Sequence, residues 1–179
     1  MLEVELKFLN IDVEVFERKL ERLGAVKEYD CDIDTYHMMA EGYSDFTNGG
    51  KYVRIRKIDN QIKITYKDPA IVTKMKIREE IEITSDDLDK TIRIFEKLGF
   101  TKGPLFRKHR IHYQLGTFGF EFDTVDSIPT YLEIEARSEK GMREICERLG
   151  LDRKEGYAKN IFEIYPEKLS EVLMEQDCI

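Results

Sequence analysis

Residues 1–8 set two carboxylates and an ammonium in one row: Glu3, Glu5 and Lys7 fall on one face of an extended chain, and Leu2, Val4, Leu6 and Phe8 on the other. The sorting follows from strand geometry, in which successive side chains point to opposite faces. Six further stretches repeat it. Arg54 and Arg56 oppose Val53 and Ile55, Lys63 and Lys67 oppose Ile62, Ile64 and Tyr66, and Arg78, Glu80 and Glu82 oppose Ile77, Ile81 and Ile83. Lys108, Arg110 and His112 alternate with Ile111 and Tyr113, and Glu121 and Asp123 with Phe118, Phe120 and Phe122. Last, Glu133, Glu135 and Arg137 alternate with Leu132, Ile134 and Ala136. Such a chain has to cover its apolar faces, and how it does so decides where the charges go.

Three stretches at helical period supply the cover, each with one apolar stripe: Val13, Phe16, Leu20 and Leu23; Leu88, Ile92, Phe95 and Leu98; Met142, Ile145 and Leu149. Asp12 and Ser85 stand at the expected N-caps, and Gly24, Gly99 and Gly150 where left-handed C-terminal caps belong. The three helices end in Glu-Arg-Leu-Gly, Glu-Lys-Leu-Gly and Glu-Arg-Leu-Gly, and each follows a Glu-x-Glu strand, the outline of a degenerate repeat. A last helix is expected from Pro166, with Leu169, Val172 and Leu173 as its stripe. Residues 41–50, and the turn at Asp68-Pro69 as far as Thr73, read as loops placed to cover a cavity.

Helices with a single stripe pack on the apolar strand faces, which leaves the charged faces to meet each other. The expected fold is therefore α+β: a curled or closed sheet with a charged lumen and helices outside, in one domain over residues 1–179. Small barrels generally fill their interiors with apolar side chains. An interior of acids and bases loses hydration unless counter-charges, metal ions or water fill it, so it suits an ionic ligand. Homodimerisation through outward apolar faces is left open.

Composition removes several classes of function. Charged residues make up 36% of the chain, above the average of about 25%, yet the net charge of −7 argues against a nucleic-acid surface. Cys31, Cys146 and Cys178 have no metal or redox spacing, and no apolar run is long enough to cross a membrane. A cytoplasmic protein acting on a small molecule is the expectation. Glu3, Glu5, Asp123, Glu133 and Glu135 offer hard oxygen ligands for Mg²⁺ or Mn²⁺. Arg54, Arg56, Lys63, Lys67, Lys108 and Arg110 offer donors for a polyphosphate. Acids for metal and bases for phosphate together are the recipe for phosphoryl or nucleotidyl transfer.

Glu3-x-Glu5-x-Lys7, Arg54-x-Arg56, Lys67-Asp68-Pro69, Arg78-x-Glu80-x-Glu82, Lys108-x-Arg110, Asp123 and Glu133-x-Glu135 occur in one order along nearly the whole chain. In that order and spacing the sequence resembles the CYTH superfamily, the triphosphate tunnel metalloenzymes, which include class IV adenylyl cyclases, thiamine triphosphatases and inorganic triphosphatases. The resemblance implies a closed antiparallel tunnel of about eight strands with helices outside. It implies Glu3, Glu5, Glu133 and Glu135 as metal carboxylates with Asp123 beside them, and Lys7, Arg54, Arg56, Lys67, Lys108 and Arg110 as a triphosphate cradle, which Lys63 and Arg78 extend. Lys7, Glu80 and Glu82 are the catalytic candidates, the two glutamates positioning water. Where the family often shows Ser-Tyr near the C-terminus, this chain has Gly156-Tyr157. His37 and His109 read as surface or packing residues, and His112, on a charged face, as a candidate for proton transfer. Three functions are compatible with this pattern: a metal-dependent triphosphatase, a class IV adenylyl cyclase, and a non-catalytic polyphosphate-binding module.

Overall fold

The sheet closes on its first strand, β1 (Leu2–Phe8), which pairs antiparallel with β6 (Lys76–Ser85) through residues 2–5 and with β9 (Ile128–Ala136) through residues 4–8. Between them run β8 (Phe118–Val125), β7 (Thr101–Leu115), β2 (Val26–Met39), β3 (Tyr52–Ile58) and β4 (Gln61–Lys67), all antiparallel, giving the cyclic order β1-β9-β8-β7-β2-β3-β4-β6. The product is a closed eight-stranded barrel, with β5 (Ile71–Val72) appended to β6 as an extra strand. Outside it lie α1 (Val13–Arg22), α2 (Leu88–Lys97), α3 (Glu139–Leu149) and the short α4 (Ile161–Ile164). This computed structural model describes residues 2–43 and 50–169.

The apolar strand faces point outward, as the alternation requires. Val4, Leu6 and Phe8 of β1 join Phe120, Phe122, Leu132 and Ile134 beneath Phe16 and Leu20 of α1 and Met142 and Ile145 of α3. On the far side Ile92 of α2 packs on Met38, Val53, Ile55 and Ile62. Asp12 caps α1 by accepting from the Val15 amide at 3.0 Å, and Gly24, Gly99 and Gly150 all take positive φ after their helices. The outer face of β6 is less covered: Ile81 and Ile83 stay 59% and 60% exposed, with no described helix above them.

Four expectations need correction. The strand missing from the sequence pattern is β2, whose first part inverts the rule: its outward row is Asp30, Asp32 and Asp34 with apolar Ile33 inward, before Tyr36 and Met38 return apolar side chains to the outer face. The stretch after Pro69, expected as loop, contains β5. The N-cap of α2 is Asp87, which accepts from the Lys90 amide at 2.9 Å, while Ser85 ends β6. The C-terminal region turns helical earlier than Pro166, at Ile161, behind a capping box of Asn160 and Glu163. Residues 166–169 are helical too, whereas Val172 and Leu173, and residues 44–49 of the expected 41–50 loop, lie outside the described residues.

Candidate active site in the barrel lumen

Register turns the inward rows into a lumen of opposed charges. Lys7 stands across from Glu133, Glu3 from Arg78, Lys67 from Glu80, and Arg110 from Asp123, while Glu5 stands across from Glu135, acid against acid. Asn160, Ile161 and Phe162 reach the lumen at one end, with the Phe162 ring edge-on to Phe106 at 5.5 Å. Beside them an inner cavity of about 100 Å³ is lined by Lys7, His37, Arg54, Lys67, Lys76 and Lys108. A larger cavity of about 560 Å³ is bordered by Glu3, Tyr29, Lys63, Glu82 and His112.

The acids concentrate where three strands meet. Carboxylate oxygens of Glu121, Glu133 and Glu135 all lie within 4.8 Å of one another. Burial, then the charges of Glu121, Glu3 and Glu133, hold the Glu135 carboxyl well above the usual range. Burial likewise pushes Glu3 up to about 8 against the pull of Lys67, and Glu80 and Glu5 add to the rise. Glu3 Oε1 is buried without a hydrogen bond among the described residues, and Lys67 Nζ is 3.8 Å away. Crowded, under-neutralised carboxylates of this kind fit a hard divalent cation. Glu5 is different: although burial raises it, Lys7 at 3.1 Å and Lys76 at 2.6 Å hold it well below the usual range.

Asp123, expected among the metal ligands, sits apart from this trio. It is fully buried and accepts from Arg110 Nε at 2.5 Å, Arg110 Nη2 at 2.6 Å, Lys108 Nζ at 2.6 Å and Tyr131 OH at 3.2 Å. Its place beside Glu133 and Glu135 is taken by Glu121, directly across from Glu133. Both acids lie on the inward face of β8, and only the register between β8 and β9 tells them apart.

The cations form the opposite wall. Buried nitrogens Arg54 Nε, Arg56 Nε, Arg78 Nε and Arg78 Nη1 have no hydrogen-bond partner among the described residues, the condition of donors waiting for an anion. Arg78 also stacks over Tyr52 at 5.3 Å. Lys7 donates to Glu133 at 2.9 Å; burial draws its ammonium down, but Glu133 and Glu5 more than reverse this, so it stays charged. Burial and Arg110 lower Lys108 to about 8 despite Asp123. Lys63 borders the larger cavity, 3.1 Å from Glu82, which also accepts from Thr65 at 3.1 Å. Glu80 pairs with Lys67; burial raises it, but Lys67 and Arg54 bring it below its ordinary value.

The alternation also reaches residues absent from the candidate set. Lys76 and Glu121 are inward members of strands already identified, and Tyr131 precedes Glu133 by two positions. His37, read as a surface or packing residue, is buried and lines the inner cavity, a place that gave no signal because β2 itself was unmarked. His109 does lie at the surface, between Asp30 and Asp32 at 3.0 and 2.9 Å. His112 stacks on Tyr29 with ring centroids 4.9 Å apart. At the Gly156-Tyr157 departure, Tyr157 exchanges two backbone hydrogen bonds with Lys7, at 2.9 and 2.8 Å. A Cβ on Gly156 would stand 3.2 Å from Phe8 Cζ and 3.3 Å from Leu6 Cδ1. The turn therefore has no room for serine without a shift in the core.

A closed antiparallel barrel with helices outside, an acidic trio and a cationic wall within defines the tunnel class of β-barrel. The model of the CYTH domain matches residues 1–159, and the chain belongs to the CYTH family. A Methanocaldococcus jannaschii protein named as a putative adenylate cyclase is 35% identical over 138 residues, 75% of this chain and 77% of that one. The structure of PH1012 from Pyrococcus horikoshii superposes with a TM-score of 0.70 at 27% identity, covering 90% of this chain and 98% of that one. A Hippeastrum adenylyl cyclase homologue, described as having a dominant triphosphatase activity, shares the fold at a TM-score of 0.59 and 15% identity, covering 93% and 95%. Among the described residues no helix is long and apolar enough to cross a membrane.

Proposed function

We propose that this protein is a cytoplasmic, single-domain enzyme that hydrolyses a small-molecule triphosphate, inorganic, nucleoside or thiamine-linked, with Mg²⁺ or Mn²⁺. The observation that carries the proposal is the division of the lumen into a carboxylate trio and a wall of buried, partly unpartnered arginine donors. Arg54, Arg56 and Arg78 bind phosphate oxygens through N–H groups that have no partner among the described residues. Lys7, Lys67 and Lys108 add point charges around the inner cavity. Glu80 and Glu82, both held below their ordinary range once their lysine partners outweigh burial, stay ionised and accept a hydrogen bond from the attacking water. A divalent ion held by Glu121, Glu133 and Glu135, with Glu3 adjoining, would stabilise charge developing on the phosphate oxygens.

The relative named as an adenylate cyclase favours a second reading, in which the ribose 3′-hydroxyl of ATP attacks the α-phosphorus and pyrophosphate leaves. Both chemistries use the same cradle and carboxylates and differ in which phosphorus meets the nucleophile. The test is an endpoint assay with ATP, thiamine triphosphate and inorganic triphosphate, each with Mg²⁺ and Mn²⁺, resolving phosphate, pyrophosphate and cyclic AMP. Phosphate with a diphosphate product supports hydrolysis, and cyclic AMP with stoichiometric pyrophosphate replaces it with cyclisation. Tight triphosphate binding without product leaves only a binding module.

A further inference from the structure

We propose that Glu121 and Asp123, two positions apart on the inward face of β8, divide the lumen's work. Asp123 is the fixed anchor of Arg110 and Lys108, and Glu121 is the partner that Arg110 gives up when a divalent cation binds. The proposal rests on the triphosphate reading above and deepens it by naming the residue through which metal and phosphate sites communicate.

Arg110 is 2% exposed and spans both acids. Its Nε and Nη2 form a bidentate fork on Asp123 at 2.5 and 2.6 Å, while Nη1 pairs with Glu121. The two acids are not equally free to leave. Asp123 Oδ2 accepts from Arg110 Nη2, from Lys108 at 2.6 Å and from Tyr131 at 3.2 Å, and Oδ1 accepts from Arg110 Nε, so four donors hold the carboxylate in place. Turning Asp123 towards a metal would strand two buried cations without their counter-charge. Beyond Arg110, Glu121 has only His112 Nδ1 at 3.6 Å among its described ion-pair partners, and its oxygen already stands within 4.8 Å of those of Glu133 and Glu135. When a cation draws Glu121 into that trio, Arg110 keeps its fork on Asp123 and turns Nη1 free to the lumen. Metal and polyphosphate then favour each other's binding beyond direct contact between them, and the coupling is reciprocal.

Asp123 is a positioning residue in this arrangement, so its test separates the two ligands. Mn²⁺ binding to the full chain without phosphate is followed by electron paramagnetic resonance of the free ion, and inorganic triphosphate binding in EDTA by calorimetry. Glu121→Gln is expected to weaken Mn²⁺ by about tenfold or more while triphosphate affinity in EDTA stays equal or rises, because the neutral amide no longer offers Arg110 a counter-charge. Asp123→Asn is expected to hold Mn²⁺ affinity within about twofold while triphosphate weakens about tenfold or more. If Asp123→Asn loses its cooperative melt, Asp123→Glu takes its place. It keeps the charge but sets it one methylene off the fork, and the same split is expected. Loss of Mn²⁺ binding in the Asp123 variant, or loss of metal-free triphosphate binding in Glu121→Gln, overturns the division while leaving the triphosphate reading intact. Wild-type protein that binds neither ion refutes that reading, and this inference with it.

Discussion

Replacing His37 by Gln removes a titrating group from the most cationic part of the lumen, and the consequence is a change in how stability depends on pH. Burial, then Arg54, Lys67, Arg56 and Lys108, lower the imidazole from 6.5 to about 3. The neighbouring Tyr52 ring, 5.5 Å away, offers no counter-charge. The folded state therefore binds fewer protons at this site than the unfolded chain between pH 6.5 and 3, and stability falls as pH drops through that window. Protonation of the unfolded chain alone makes wild-type protein about 2 kcal/mol less stable at pH 5 than at pH 7.5, a loss the variant escapes. Glu3, raised to about 8, titrates in both proteins and pulls the other way, becoming less favourable as pH rises. The difference between wild type and variant isolates His37. For a chain of this size the effect is about 4–8 °C in melting temperature. Thermal melts of both proteins from pH 7.5 to pH 5 should show the gap between them shifting in the variant's favour by that amount. Parallel curves would refute the placement of a neutral imidazole among these cations.

Three further substitutions test other parts of the site. Glu135→Gln removes one carboxyl from a crowded acidic group, where burial and the neighbouring acids hold it well above the usual range, so its melt in EDTA should not fall below that of wild type, while metal-dependent turnover is abolished; retained turnover would remove Glu135 from the site. Arg56→Ala should weaken inorganic triphosphate far more than a monophosphate in direct binding titrations, since a buried guanidinium serving a polyphosphate loses contacts a short anion never makes. Equal weakening would place Arg56 outside the cradle. Gly156→Ser forces its Cβ against Phe8, Leu6 and the Arg153 carbonyl, and should cost about 1–2 kcal/mol, read as a fall of about 2–8 °C on thermal melting. An unchanged melt would show that the family's serine fits this turn after all.

What could be read in the sequence follows from how strongly each face was constrained. Strands with charge inward and apolar side chains outward announce themselves because a one-residue slip would reverse every side chain, and this is why seven of the eight barrel staves and their sidedness were legible. β2 escaped because it is solvated outside, where Asp30, Asp32 and Asp34 meet Arg107 and His109, and mixed inside, where Cys31, Ile33, Thr35 and His37 carry no single chemistry. With β2 hidden, His37 was hidden too. The site itself was legible to the level of the inward face and no further. Periodicity places Glu121 and Asp123 on the same side of β8, and nothing along the chain says that one meets Glu133 across the next strand while the other is enclosed by Arg110, Lys108 and Tyr131. Charge of one sign at alternate positions fixes which way a carboxylate points; whether it meets another carboxylate or a guanidinium is decided by register, which forms only when the barrel closes. The two acids therefore carry the same sequence signal and opposite electrostatic surroundings. A metal carboxylate needs neighbours that crowd it, and a cradle anchor needs neighbours that satisfy it.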